Sequence, residues 1–388
     1  MKRIMLVLLM LMPLLFSGCE NSINSVKINV ADNRDDSEST DQDIQNDEGV
    51  DIPEPFDDTD ITEIIDDDVS PEINDDNILE TPEDTDNPDT EPVSCDTDPV
   101  FCFGRYYVNT IDVSAGDNGS ARQFRIYEPI AAEGKIPVIH FLHGYQLKYD
   151  YYDSILMQLC SHGFIVISSQ SNHLNVDTSI KEAEKVTDFL NWLKENLQSK
   201  LTVTADFENF GIAGHSRGGK VTNRILNTDP TIAKSFFGLD PVDSEPPING
   251  KSDPQSLNDP VIFTGESMFL GTEKGPKNQL NGDSAACAPE GDNSSNFYAF
   301  YPSPSHHIIA AGVGHLDMLD ANECSGAISI CSTCAGSNDN GMKSMFITYT
   351  GGLMTAFFNS TLKGLTEYEN ILNDPSVYPF ATTVVEHK

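Results

Sequence analysis

Ser216 stands in a Gly-x-Ser-x-Gly pattern between an apolar run and a stretch suited to a helix. Residues 207–213 predict a strand, and residues 220–226 predict a helix. A serine on a sharp turn from strand to helix has an exposed hydroxyl that a general base can reach. Gly214 and Gly218 allow the strand and the helix to approach without clashes between Cβ atoms. The pattern therefore predicts that Ser216 is the nucleophile of an acyl-transfer reaction.

Such a serine needs a histidine as its base and a carboxylate that orients the histidine, both later in the chain. Asp240 ends a short apolar run, which would place its carboxylate at the sheet edge where Ser216 lies. An aspartate before a proline is also common in turns, and Asp243 is a competing acid. His315 follows an apolar run and the flexible Gly-Val-Gly loop at residues 312–314. We expect His315 to be the base and either aspartate to be the acid.

Acyl transfer also needs an oxyanion hole, which two backbone N–H groups can form. One donor belongs to the residue after the nucleophile, here Arg217. The other comes from the loop after an earlier strand, which the apolar residues 135–142 predict. In the loop His143-Gly144-Tyr145, the glycine lets the backbone turn so that the Tyr145 N–H points at the oxyanion. We expect Arg217 and Tyr145 to be the two donors.

These segments resemble the chlorophyllase family of α/β-hydrolases, and they keep the family's order over about residues 100–360. The most specific matches are Gly-His-Ser-Arg-Gly-Gly-Lys at 214–220 and Gly-His-Leu-Asp-Met-Leu-Asp at 314–320. The other matching segments are residues 138–145, 161–167, 238–243 and 287–291.

The resemblance implies an α/β-hydrolase fold with Ser216 as nucleophile and His315 as base. It favours Asp240 over Asp243 as the acid, because the Asp-Pro pair is the constant part of that motif. The chain also departs from the family. Asp243-Ser244 stands where Asp-Gly is frequent, and Asp292-Asn293-Ser294 stands where an Asn-His pair is usual. We expect these segments to border the acyl or alcohol pocket.

The combined patterns predict a serine carboxylic-ester hydrolase that acts on a hydrophobic ester without a cofactor or metal. A lipase, a phospholipid short-acyl hydrolase and a polyesterase of the same fold are alternatives. A non-catalytic binding lipoprotein is the alternative from another class, and the complete Ser-Asp-His set argues against it. We expect a monomer.

The first 18 residues are typical of a bacterial lipoprotein signal peptide. Lys2 and Arg3 precede the apolar residues 4–16, a run too short for a secure transmembrane span. Phe-Ser-Gly-Cys at residues 16–19 is typical of a lipobox, in which the Cys19 thiol carries diacylglycerol. We expect export and lipid anchoring in the cell envelope, at the outer membrane. Ordinary secretion with an incidental Cys19 is the alternative.

Residues 19–98 predict a disordered acidic linker. Residues 20–98 hold 29 acidic and two basic residues, a net charge of −27 out of −38 for the whole chain. Their isolated apolar side chains cannot offset the conformational entropy of folding, and self-repulsion extends such a segment. The acidic charge argues against nucleic acid as a partner. Binding of divalent cations by the aspartate clusters is the alternative reading of this segment.

Residues 99–388 have the composition of a globular protein and predict one catalytic domain. Strands that alternate with helices predict a mostly parallel, twisted sheet flanked by helices. Further strands are predicted at residues 106–113, 122–127, 164–168 and 260–265. Helices are predicted at residues 151–160, 180–198 and 342–359.

Seven cysteines besides Cys19 predict disulfides in an exported chain. We expect Cys95 and Cys102 to staple the start of the domain, and Cys160 to be a small buried hydrophobe. Cys331 and Cys334 lack a convincing second pair of zinc ligands, so we expect no metal site. Four cysteines are expected to brace the loop around His315: Cys287, Cys324, Cys331 and Cys334.

Overall fold

The computed structural model describes residues 98–171, 177–244, 252–257, 261–277, 286–320 and 334–388. The predicted signal peptide, Cys19 and nearly all of the predicted acidic linker therefore lie outside the described residues. Nine strands occur in the described ranges: β1 (Val108–Val113), β2 (Phe124–Pro129), β3 (Lys135–Leu142), β4 (Ile165–Ser169), β5 (Thr204–His215), β6 (Ser235–Leu239), β7 (Glu266–Thr272), β8 (Ser305–Ala310) and β9 (Thr382–His387).

The strands form one mixed sheet in the order β1-β2-β4-β3-β5-β6-β7-β8-β9. The six strands from β4 to β8 in this order are parallel. β1 and β2 at one edge and β9 at the other are antiparallel to their neighbours. The carboxyl ends of β5, β6 and β8 therefore lie at the same edge of the sheet, where α/β proteins bind their ligands.

Six α-helices connect or follow these strands in the described part of the chain: α1 (Asp153–Ser161), α2 (Ser179–Asn196), α3 (Arg217–Thr228), α4 (Ser294–Phe300), α5 (Asn340–Lys363) and α6 (Glu367–Asn373). One apolar core joins the sheet to α1, α5 and α6, and a second joins the opposite face to α2, α3 and α4. This is the predicted α/β-hydrolase architecture, with a mostly parallel sheet between two layers of helices. None of the helices described is both long and apolar enough to cross a membrane.

The predicted strand at residues 260–265 is wrong, because residues 261–265 form a loop and β7 begins at Glu266. Phe263 in this loop is fully buried, so its apolar character reflects loop packing rather than a strand. A Cβ at Gly265 would lie 2.2 Å from the carbonyl oxygen of Lys234, so the chain passes too close to its neighbour for any larger residue. The prediction also lacked α4, α6, β7 and β9.

Candidate active site

Ser216 occupies the turn between β5 and α3. Its backbone angles are φ 54° and ψ −125°, a region that a residue with a Cβ adopts only under strain. A Cβ at Gly218 would lie 2.1 Å from the Leu142 carbonyl oxygen, and one at Gly214 would lie 2.5 Å from the Gly218 carbonyl carbon. The two glycines therefore permit a turn so tight that the serine hydroxyl stands at the end of the sheet.

The structure brings Ser216, His315 and Asp240 into one hydrogen-bonded line. The Oγ of Ser216 lies 2.8 Å from Nε2 of His315. The Nδ1 of His315 lies 2.8 Å from Oδ2 of Asp240. His315 is 2% exposed and Asp240 is 1% exposed, so bulk water does not screen their interaction. A hydroxyl, an imidazole and a carboxylate are thus arranged so that a proton could pass from the hydroxyl to the imidazole.

Asp240 is itself held in place by Thr272, a residue that the sequence analysis did not identify. Oδ2 of Asp240 accepts a hydrogen bond from the Thr272 hydroxyl at 2.8 Å, and Oδ1 accepts one from the Thr272 amide at 3.2 Å. Thr272 ends β7, beside the end of β6 from which Asp240 projects. A threonine at a strand end is ordinary, so only the pairing of the two strands reveals its contact with the acid.

Asp243, the competing acid, has other partners. Its carboxylate accepts hydrogen bonds from the Ser256 amide at 2.7 Å, the Ser256 hydroxyl at 2.6 Å and the Leu257 amide at 2.9 Å. Burial raises the pKa of Asp243, although these hydrogen bonds lower it in part. Asp243 therefore anchors the segment at residues 252–257, and Asp240 is the aspartate that contacts His315.

The loop that carries His315 is fastened on both sides of the histidine. The carboxylate of Asp317 accepts hydrogen bonds from the Gly314 amide at 2.8 Å and the Ser337 amide at 2.6 Å. The disulfide between Cys287 and Cys334 ties the segment before Ser337 to the loop after β7. These contacts limit the movement of the imidazole relative to Asp240.

The cysteine predictions agree with the structure where the structure describes them. Cys287 and Cys334 form a disulfide, Cys102 is disulfide-bonded, and Cys160 is free and buried. Cys95, Cys324 and Cys331 lie outside the described residues. Among the described side chains, no three His, Cys, Asp or Glu residues are grouped so that they could hold a metal ion.

Of the two predicted oxyanion donors, Arg217 follows Ser216 directly in the chain, and Tyr145 follows Gly144, which approaches Ser216. Arg217 is the first residue of α3, so its N–H belongs to the positive end of the helix dipole. The two terminal nitrogens of its guanidinium donate to the Glu182 carboxylate and the Asp177 carbonyl oxygen, so these two groups are already paired. A Cβ at Gly144 would lie 3.1 Å from the Ser216 Cβ, so the loop that leads into Tyr145 lies directly against the nucleophile.

Comparison with known proteins agrees with this architecture. The family model for Chlorophyllase matches residues 96–388. Chlorophyllase-1 of Arabidopsis thaliana is 32% identical over 304 residues, which cover 73% of this chain and 90% of the relative. Chlorophyllase-1, chloroplastic, of Citrus unshiu is 29% identical over 300 residues, which cover 74% and 88%. The chain therefore belongs to the chlorophyllase family and is a carboxylic ester hydrolase with the α/β-hydrolase fold.

Proposed function

We propose that this chain cleaves its ester through an acyl-enzyme formed on Ser216, with His315 as the general base and Asp240 as the acid that orients it. The observation that carries the proposal is the line of two 2.8 Å hydrogen bonds from Ser216 through His315 to Asp240. A buried carboxylate, imidazole and hydroxyl in this order form the same arrangement that serine hydrolases use on unrelated folds.

In the proposed reaction, Ser216 Oγ attacks the ester carbonyl while His315 Nε2 accepts the hydroxyl proton. The Asp240 carboxylate accepts a hydrogen bond from the Nδ1–H group of His315. This fixes the tautomer in which Nε2 can accept the proton, and it stabilises the imidazolium that forms. The amides of Arg217 and Tyr145 stabilise the tetrahedral oxyanion, each by about 3 kcal/mol on the scale of single-donor deletions. His315 then donates the proton to the leaving alcohol, and water hydrolyses the acyl-enzyme by the same steps in reverse.

Chlorophyll is the first substrate to test, because the relatives bear the name chlorophyllase. Another lipid or polymer ester is the second candidate, because the chain departs from the family pattern at residues 243–244 and 292–294. The two segments that depart from the family pattern meet each other, since the Ser244 hydroxyl lies 3.0 Å from Oδ2 of Asp292. We expect this contact to shape a pocket wall that differs from the family's.

The test compares Ser216→Ala with Ser235→Ala in the purified protein. Ser235 is buried like Ser216, and its hydroxyl has no hydrogen-bond partner among the described residues, so it is a matched control. We expect Ser216→Ala to abolish hydrolysis of p-nitrophenyl esters and labelling by a serine-reactive phosphonate, and Ser235→Ala to retain both. A wild-type protein with neither turnover nor label would indicate the non-catalytic binding function. Chlorophyll and lipid esters then rank the substrates.

We further propose that the protein is a bacterial lipoprotein, anchored in the cell envelope through Cys19. The basic start, the apolar run and the lipobox-like residues 16–19 support this proposal. The acidic residues 20–98 would then hold the catalytic domain away from an anionic membrane surface by charge repulsion.

A further inference from the structure

His215, the residue before the nucleophile, is completely buried. The Gly-x-Ser-x-Gly pattern makes no chemical demand on this position, and burial of an imidazole is unfavourable unless its nitrogens are hydrogen-bonded. Both nitrogens have partners here. Nδ1 lies 2.7 Å from the hydroxyl of Tyr152, and Nε2 lies 3.0 Å from the backbone carbonyl oxygen of His315.

His215 thus links Tyr152 to the His315 backbone in a chain of hydrogen bonds, and the partners determine which atoms carry the hydrogens. A carbonyl oxygen can only accept, so Nε2 of His215 carries the hydrogen and Nδ1 accepts from the Tyr152 hydroxyl. Burial, and next the charge of His315, hold the pKa of His215 well below its usual value, so its ring is neutral. Burial also raises the pKa of Tyr152, which keeps the phenol proton that His215 accepts.

The chain of hydrogen bonds continues from Tyr152 into the loop that leads to Tyr145. The Tyr152 oxygen accepts a hydrogen bond from the Gly144 amide at 3.2 Å. On the other side of the same residue, Nδ1 of His143 lies 2.8 Å from the Gly144 carbonyl oxygen. Because that carbonyl and the Tyr145 N–H belong to one planar trans peptide, holding the carbonyl directs the N–H the opposite way.

We propose that Tyr152 and His215 are positioning residues, which hold the oxyanion-binding loop at Gly144 in fixed register with the loop that carries His315. Three parts of the site are connected by this chain: the Gly144 amide, the residue beside the nucleophile and the backbone of the base. The inference rests on the proposed esterase function, and it concerns how the oxyanion donor is held before substrate arrives. Such preorganisation acts on the transition state and leaves ground-state binding unchanged.

Tyr152→Phe tests the proposal, with Tyr349→Phe as the matched control. Tyr349 is also fully buried, and its hydroxyl has no hydrogen-bond partner among the described residues. We expect Tyr152→Phe to lower kcat about tenfold to a hundredfold, less than deletion of a donor costs, with KM changed less than about twofold. Inactivation by a phosphonate should slow by a similar factor. Tyr349→Phe should leave kcat and the inactivation rate unchanged.

His215→Gln weakens the same link from the other side, because its Nε2 can still donate to the His315 carbonyl while its acceptor, Oε1, does not take the place of the ring Nδ1 that faces Tyr152. It gives the same readouts if Tyr152→Phe folds poorly. In the double variant, the two losses in kcat should be clearly less than multiplicative, since either change breaks one chain. Multiplicative losses, or a Tyr152→Phe variant with the kcat of Tyr349→Phe, would overturn the proposal.

The phosphonate experiment separates this inference from the proposed function. If mass spectrometry finds no phosphonate adduct on Ser216 of the wild-type protein, the proposed function itself fails. If the adduct forms on Ser216 and forms equally fast in Tyr152→Phe and His215→Gln, the esterase mechanism stands and the positioning role is wrong.

Discussion

Asp240 and Asp243 project from the same short segment, yet their carboxylates have entirely different partners. Asp240 contacts the imidazole of His315 at 2.8 Å, whereas Asp243 contacts the amide and hydroxyl of Ser256. Two acids that are equivalent candidates by position are therefore distinct in the folded chain, since one lies against the imidazole of His315 and the other against the segment at residues 252–257.

Substitution of these two aspartates should separate activity from stability. We expect Asp240→Asn to lower kcat about 10⁴-fold, because an amide no longer holds the His315 tautomer. Asp243→Asn should keep kcat within about tenfold but lower the free energy of unfolding by about 1–3 kcal/mol, because buried donors lose their charged acceptor. Ester hydrolysis and urea unfolding of both variants check this, and the opposite ranking would make Asp243 the acid.

Gly218→Ala should disrupt the turn that presents Ser216. The added methyl would lie 2.1 Å from the carbonyl oxygen of Leu142. Leu142 belongs to strand β3, so its backbone can shift only at a large cost in free energy. We expect the free energy of unfolding to fall by about 3 kcal/mol and kcat to fall with it. Gly341→Ala is the control, since its methyl would meet only Asp339 Oδ1 at 3.2 Å in the first turn of α5. Thermal unfolding of the two variants should differ clearly, and equal melting temperatures would contradict the packing argument.

The disulfide should matter for the base as well as for stability. We expect the double variant Cys287→Ser/Cys334→Ser to lose about 2–4 kcal/mol of unfolding free energy. Its kcat should also fall, because the segment that contacts Asp317 is no longer tied to the loop after β7. Cys160→Ala, which changes a free buried cysteine, should leave kcat unchanged. If the double variant is as active as the wild type, the disulfide has no part in holding His315.

Buried histidines should make the domain sensitive to acid. Burial, and next the charge of His387, lower the pKa of His306 to about 4 from 6.5, and burial lowers the pKa of His140 to about 3. Below pH 6.5 the unfolded chain takes up these protons and the folded chain does not. The contribution of these two histidines to the free energy of unfolding is therefore fully present above pH 6.5, and it is lost as the pH falls towards 4.

His306→Gln should remove part of this acid sensitivity. For a shift of this size, one histidine accounts for about 3 kcal/mol across the window from pH 6.5 to pH 4. Urea unfolding at several pH values should show a shallower loss of stability in the variant than in the wild type. Identical pH slopes would mean that protonation of His306 is not linked to unfolding.

Metabolic labelling with a lipid precursor tests the proposed anchor. We expect the wild-type chain to incorporate the label and to fractionate with membranes when it is produced in a bacterium. Cys19→Ala should lose the label, whereas Cys160→Ala, which alters a buried cysteine of the domain, should retain it. An unlabelled wild-type chain would favour ordinary secretion.

Local sequence pattern predicted the strands that carry the candidate site because each has a strong local signal. Apolar runs that end near a glycine or at Asp240-Pro241 predicted β3, β5, β6 and β8. β3 has the predicted bounds, and β5 extends a few residues beyond the predicted 207–213 at each end. The loop at residues 261–265 was mistaken for a strand because a buried loop and a buried strand show the same apolar run. β9 was missed because an edge strand with mixed side chains lacks that signal.

The sequence by itself predicted Ser216 as the candidate nucleophile, because a tight turn around a reactive serine requires glycines at fixed spacing. Its longer motifs at residues 214–220 and 314–320 carried the candidate base, His315, and the resemblance to the family. Only the tertiary structure showed that Asp240 contacts His315 whereas Asp243 contacts Ser256, and only it revealed the contacts of Thr272, Tyr152 and His215. These residues act through contacts between segments far apart in the chain, and such contacts depend on which strands pair and which helices pack. No local pattern of residue types contains that information.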